Sequence, residues 1–404
     1  MADVQARVEC ILRAAVGDGR ESAVQVAAYL HGELIVDACA GAAVEPDGVG
    51  GTGEAGRAGG AGRAGEVGRA GGAGGRPVDS DSLFHGYSTG KGVAATLVHV
   101  LAERGLVDLD APIADLWPEF AAHGKGGATL RDALTHRIGI PQLPSGLTPQ
   151  ELCDWDGMCA LVAGQAPLWE PGTATGYHGW SFAWIVGETV RRATGLTVSE
   201  ALRRHVTGPL GIADSLLFGV PADQMHRVVP LLPGSWDAML AGLPADAPLL
   251  AAVPNRAVWP AAELANRPAY LAADVPAGGT MTARAVARMY AALLGEVDGV
   301  RLLPAERLPL LYALQTAEPD RILGAPVPKG LGYFLGLPES GREPTAFGHQ
   351  GSGGSIAFAD PRRGLAFAFT RSRLTLGAPD GTSMRAAAAI REAVDGRPIA
   401  ALGV

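Results

Sequence analysis

Ser88-Thr89-Gly90-Lys91 sets a serine three residues ahead of a lysine at the point where a helical pattern begins. Positions i and i+3 share a helix face, so the hydroxyl and the amine can meet. A serine hydroxyl is a weak nucleophile until a neighbouring base takes its proton. Lys91 can act as that base only when neutral, so its pKa must fall from about 10.4 to roughly 7. Burial and a nearby positive helix end both push in that direction. The competing reading makes Ser88 an N-cap and Lys91 a solvated helix residue.

Two further stretches favour chemistry. Tyr177 follows the Pro171-Gly172 turn and precedes a helical pattern from Trp180 to Arg192, where a phenol could relay a proton between Ser88 and a leaving group. His349-Gln350-Gly351-Ser352-Gly353-Gly354 precedes an apolar strand pattern, and its glycines allow backbone to approach a substrate closely. His349 could hydrogen-bond substrate or Tyr177, or serve as a structural histidine.

These three stretches, in this order, resemble the motifs of the serine β-lactamase and penicillin-binding protein superfamily, in the branch of class C β-lactamases and family VIII carboxylesterases. The resemblance runs from about Ala23 to Thr370. It implies a β-lactamase-like α+β fold: an antiparallel sheet built from both chain ends and flanked by helices, a mostly helical inserted domain, and an active site at their junction. It implies an acyl-enzyme on Ser88 with Lys91 and Tyr177 shuttling protons, and an oxyanion hole made by the N–H groups of Ser88 and Ser352. His178, Gln350, Gly351 and Trp180 fall at positions expected to touch substrate, and no cofactor or metal is implied.

Two departures narrow the resemblance. The family's Tyr-x-Asn is here Tyr177-His178-Gly179, and its Lys-Thr-Gly is His349-Gln350-Gly351. Losing that lysine removes a partner for a β-lactam carboxylate. The expectation is therefore a carboxylesterase acting on a small ester or amide. The alternatives are a transacylase handing the acyl group to an amine or alcohol, a β-lactamase, and a non-catalytic binding protein on the same scaffold.

A helix from Gly92 to Leu101, stopped by Gly105, would carry Ser88 and Lys91 at its first turn and be buried almost all round. Residues 1–20 read as a helix. Ser22–Leu30 and Leu34–Ala40 read as a hairpin about His31-Gly32-Glu33, and Gly354–Ala359 with Leu365–Thr370 as a second one. A final helix is expected from Ser383 to Val394. Thr197-Val198-Ser199-Glu200 is a capping box, and Thr282 can cap the helix after it. The expected domains are a sheet domain of residues 1–100 and 280–404 and a helical one of 101–279. From about 46 to 76 the chain repeats Gly56–Gly62 at Gly68–Gly74, and glycine without large apolar side chains predicts a mobile loop.

Gly86-Tyr87-Ser88-Thr89-Gly90 also matches G-x-S-x-G, but that elbow needs a buried strand before it, and Asp81–His85 reads poorly as one. The nine histidines form no HExxH or paired-Cys pattern. Cys10, Cys39, Cys153 and Cys159 contain no CxxC and read as buried thiols. With 404 residues, 48% of them hydrophobic, a large core is available. A net charge of −8 without a basic block gives nucleic-acid binding no support. The absence of a signal peptide or a long apolar segment predicts a cytoplasmic protein without membrane partners.

Overall fold

The computed structural model describes residues 2–45, 75–378 and 380–396. The tract from 46 to 74 lies outside them, and with it all of the expected mobile loop but its last two residues, of which Arg76 is instead paired as a strand against Ala43. Eleven strands are present among the described residues: β1 (Ala23–Leu30), β2 (Glu33–Ala43), β3 (Arg76–Pro77), β4 (Leu83–His85), β5 (Leu216–Leu217), β6 (Val228–Val229), β7 (Thr280–Met281), β8 (Phe334–Leu335), β9 (Phe347–Gln350), β10 (Ile356–Asp360) and β11 (Leu365–Arg371). Seven form one antiparallel sheet in the order β3-β2-β1-β11-β10-β9-β8. At its centre the chain ends meet, with Val26 opposite Phe369 and Ala28 opposite Phe367. The β1–β2 turn puts His31 and Gly32 at φ 49° and 85°, the left-handed pair that matches the twist of a hairpin.

Both faces of the sheet are covered, and side-chain size differs between them. Val24, Val26, Ile356, Phe358, Phe367 and Phe369 pack toward the terminal helices Ala2–Gly17 and Thr382–Asp395. The alternate residues Ala27, Ala357, Ala359, Ala366 and Ala368 face the helix Ala283–Leu294. Large residues fill the space on one side, and methyl groups let the helix lie close on the other. Thr282 starts that helix by accepting the Ala285 N–H at 3.1 Å.

The stretch between the Ser88 helix and β7 is mostly helical. Its longest helix, Ser181–Thr194, ends at Gly195 with φ 70°, and the Thr197 capping box opens Val198–Leu202. A small four-stranded sheet, β5-β7-β4-β6, delivers the chain to Ser88.

Three expectations need correction. Leu83–His85 is a fully buried strand, paired with β6 and β7 rather than read from alternation. Phe347–Gln350 is itself a strand, held by β8 and β10, where the glycine at 348 had hidden the pattern. Of the cysteines, which are all free thiols, only Cys159 is buried, and Cys10 is exposed. No helix among the described residues is long and apolar enough to cross a membrane.

Candidate active site

Ser88 ends a strand-turn-helix passage: β4, then Tyr87 in the left-handed region at φ 43°, then the helix Thr89–Glu103. A bulky residue in that region stores about 1–3 kcal/mol of strain and persists only where its surroundings enforce it. Gly86 N–H donates to Gly279 O at 2.7 Å, and a Cβ on Gly90 would come within 2.6 Å of Gly279 N. Ser88 occupies the N-cap position, yet its side chain caps nothing. Its Oγ lies 3.0 Å from Lys91 Nζ instead.

Lys91 is 1% exposed, so it is not a solvated helix residue. Its Nζ also reaches Gly179 O at 2.7 Å and Ala277 O at 3.1 Å, and no carboxylate pairs with it among the described residues. Burial without a counter-charge holds its pKa well below the ordinary lysine value. The partners then dictate the orientation. A neutral amine has two N–H groups and one lone pair. The two carbonyls can only accept, so they take the N–H groups and leave the lone pair facing the Ser88 hydroxyl.

Tyr177 completes the core of the site. Its ring centroid lies 5.2 Å from Lys91 Nζ, and its backbone N–H donates to Asp320 Oδ1 at 3.0 Å. Burial raises the phenol pKa, opposed by a hydrogen bond with Ser88. Tyr177 is therefore a neutral O–H donor at physiological pH. Ser88, Tyr177 and Ser352 line one pocket, with an empty volume of about 610 Å³ including its open mouth. The N–H groups of Ser88 and Ser352 donate to no acceptor among the described residues, as an oxyanion hole requires.

The remaining candidates separate. Trp180 lines the pocket, with its Nε1–H on Val258 O at 3.1 Å. His178 does not line it: Nε2 accepts the Ile140 N–H at 3.0 Å and Nδ1 donates to Gly176 O at 2.7 Å. Both nitrogens thus serve backbone, and burial lowers its pKa to about 4. The expected substrate contact is a structural histidine. Gln350 is exposed and outside the pocket lining, and its carbonyl accepts from His349 Nδ1 at 2.7 Å. His349 is also outside the lining, 1% exposed, with its ring 6.1 Å from that of Tyr177. Burial and the Lys91 amine lower its pKa to about 3, so the third motif carries no cation. Gly351 packs on Gly86 O, where any Cβ would overlap the carbonyl.

Sequence reasoning missed the pocket walls. Trp236, Trp259, Leu240, Leu249, Leu250, Val253 and Leu323 surround Ser88 with apolar surface. The indole N–H groups of Trp236 and Trp259 donate to Pro260 O and Val253 O, at 2.8 Å each, leaving no indole N–H free. Asp320, which holds Tyr177, was missed as well.

The Beta-lactamase family model matches residues 8–391 of the chain. The chain belongs to this family. An esterase/beta-lactamase, LipL, of Mycobacterium tuberculosis is 36% identical over 314 residues, covering 74% of this chain and 71% of the relative. The crystal structure of a family VIII carboxylesterase superposes with a TM-score of 0.80 at 33% identity, over 96% of this chain and 97% of the other. A penicillin-binding protein homologue from Caulobacter crescentus gives 0.78 at 29% identity, over 96% and 97%. The β-lactamase-like fold expected from the sequence is thus the fold of this chain.

Proposed function

We propose that this protein is a carboxylesterase that acts through an acyl-enzyme on Ser88. The observation that carries the proposal is the 3.0 Å approach of Lys91 Nζ to Ser88 Oγ, with both N–H groups of the buried amine directed at carbonyls. Lys91 takes the hydroxyl proton as Oγ bonds to the ester carbon. The carbonyl oxygen becomes an oxyanion beside the N–H groups of Ser88 and Ser352. On collapse the C–O bond to the alcohol breaks, and the Tyr177 phenol protonates the departing oxygen and is itself reprotonated from Lys91. Water then enters by the same route in reverse and releases the acid.

The substrate class follows from the walls. Among the described residues no lysine or arginine lines the pocket, and its polar groups lie at the reacting end. A carboxylate placed there would lose its hydration without gaining a partner. A neutral ester with an apolar acyl or alcohol group fits, and its alcohol can leave after protonation. The esterase relatives support hydrolysis of such bonds.

Mass spectrometry after brief incubation with a neutral p-nitrophenyl ester tests the reading. The expected result is an acyl adduct on the peptide containing Ser88, absent in Ser88→Ala. A Ser88→Ala enzyme with unchanged turnover would overturn it. Loss of the adduct faster with an added amine or alcohol than with water alone would shift the reading to transacylation.

A further inference from the structure

Next to Tyr177 lies an ion pair that the steps above do not use. Asp320 and Lys329 are 0% and 1% exposed, with Lys329 Nζ 3.0 Å from Asp320 Oδ2. Lys329 Nζ has no other acceptor among the described residues. The second carboxylate oxygen, Oδ1, accepts three backbone N–H groups: Ile322 and Leu323 at 2.9 Å each, and Tyr177 at 3.0 Å. The first two bonds belong to the turn that Asp320 itself starts, as aspartates in loops often do. The third joins residues 143 apart in sequence.

Two of the three groups held by this oxygen border the pocket. Tyr177 and Leu323 each line it. The loop carrying the carboxylate is closed at its base, where Lys329 N–H donates to Thr316 O at 2.9 Å and Gln315 N–H to Lys329 O at 2.8 Å. Burying two charges returns little stability, and well-packed apolar residues often do as well. A carboxylate, however, can accept three converging N–H groups while its other oxygen stays paired, which no apolar side chain can do.

We propose that Asp320 is a positioning residue for Tyr177, with Lys329 fixing the carboxylate, and that the pair sets the height of the phenol above Ser88. The proposal rests on the reading of Tyr177 as the proton donor to the leaving alcohol. Misplacing a catalytic group by about 1 Å costs on the order of 10²-fold.

The test uses leaving groups. p-Nitrophenolate departs without protonation, whereas an alkoxide needs the Tyr177 proton, so an ethyl ester and a p-nitrophenyl ester of one acid report on the phenol's placement. Asp320→Asn/Lys329→Met keeps the Oδ1 acceptor and leaves no unpaired charge; Asp320→Ala/Lys329→Met removes the acceptor. The first variant is expected to keep kcat/KM, which reports the acylation step in which the two leaving groups differ, within about tenfold on both esters. The second is expected to lose about 10²-fold on the ethyl ester while losing far less on the p-nitrophenyl ester. Asp320→Glu, which displaces the carboxylate by one methylene, gives the same comparison if the alanine variant does not fold. Equal losses on the two esters, or none, would overturn the proposal. A wild-type enzyme that forms no adduct on Ser88 would instead overturn the acyl-enzyme reading, a result independent of these ratios.

Discussion

The His349 imidazole stacks on the Phe334 ring, with centroids 4.3 Å apart and planes at 28°, and donates from Nδ1 to the Gln350 carbonyl 2.7 Å away. This sandwich explains why the third motif is uncharged: burial removes the water that an imidazolium would need, and any proton on the nearby Lys91 amine would repel it further. With the folded pKa lowered to about 3, His349 is neutral across the range in which an esterase is assayed. The His349 ring resonances in an NMR titration are expected to stay constant from pH 5 to 9. A midpoint inside that range would contradict the assignment.

An uncharged motif and apolar walls lead to a prediction about anionic substrates. The p-nitrophenyl ester of hexanoic acid and the p-nitrophenyl half-ester of glutaric acid have acyl groups of similar length, and only the second ends in a carboxylate. Desolvating that group without a partner costs several kcal/mol. The kcat/KM for the anionic ester is expected to be lower by about 10² or more at equal ionic strength. Comparable values for the two would place a cation at the site.

Lys91 sets the acidic side of the pH profile. The pKa of a lysine depressed by burial is crossed from protonated to neutral as pH rises, and only the neutral amine can take the Ser88 proton. Activity is therefore expected to rise with pH through the folded pKa of Lys91. The linkage to stability has the same sign. Between that pKa and about 10.4 the unfolded chain binds one more proton than the folded one, so this site makes stability increase with pH. Lys91→Met is expected to abolish the acidic limb and lower kcat by about 10³ or more, measured by stopped-flow acylation. A variant retaining the wild-type limb would assign it elsewhere.

What the sequence could and could not say has physical causes. Ser88 and Lys91 were legible because a three-residue spacing on a helix is local geometry. The β1–β2 and β10–β11 hairpins were legible because alternating residues are bounded by turns. Strand β9 was not, since Phe347-Gly348-His349-Gln350 acquires its strand character from the partners β8 and β10. His178 holds a motif position yet turns one nitrogen to the local Gly176 carbonyl and the other to the Ile140 N–H, which lies far along the chain. Asp320 and Lys329 carry no motif at all. Their significance lies in one N–H, that of Tyr177, contributed from far along the chain.

The tryptophan walls predict a shift in size preference. The Trp259 indole is pinned by its bond to Val253 O and presents its ring to the pocket. Trp259→Ala would open space beside the acyl or alcohol group while leaving Ser88, Lys91 and Tyr177 in place. A methylene fitted into an apolar pocket is worth about 1–3 kcal/mol in specificity. The ratio of kcat/KM for a bulky branched ester over an acetate is expected to rise by about tenfold or more. An unchanged ratio would mean that the variable part of the substrate lies elsewhere.

Gly90 tests how closely the nucleophile helix must approach the segment that supplies the Ala277 carbonyl. In an open helix, alanine would be favoured over glycine by about 1 kcal/mol. Here a Cβ would overlap the Gly278 carbonyl and come within 2.6 Å of Gly279 N, both backbone groups that cannot rotate aside. Overpacking of this kind costs about 1–3 kcal/mol, which outweighs the helix preference. Gly90→Ala is therefore expected to lower the melting midpoint. It should also separate Lys91 from Ala277 O, loosening the orientation of the amine and lowering kcat further than the stability loss explains. Gly164→Ala is the control, since its Cβ meets nothing within 4 Å at the end of the helix Trp155–Gly164. Calorimetry and kcat on both variants decide the point: a Gly90→Ala enzyme as stable and active as Gly164→Ala would show that the helix can retreat without disturbing Ser88.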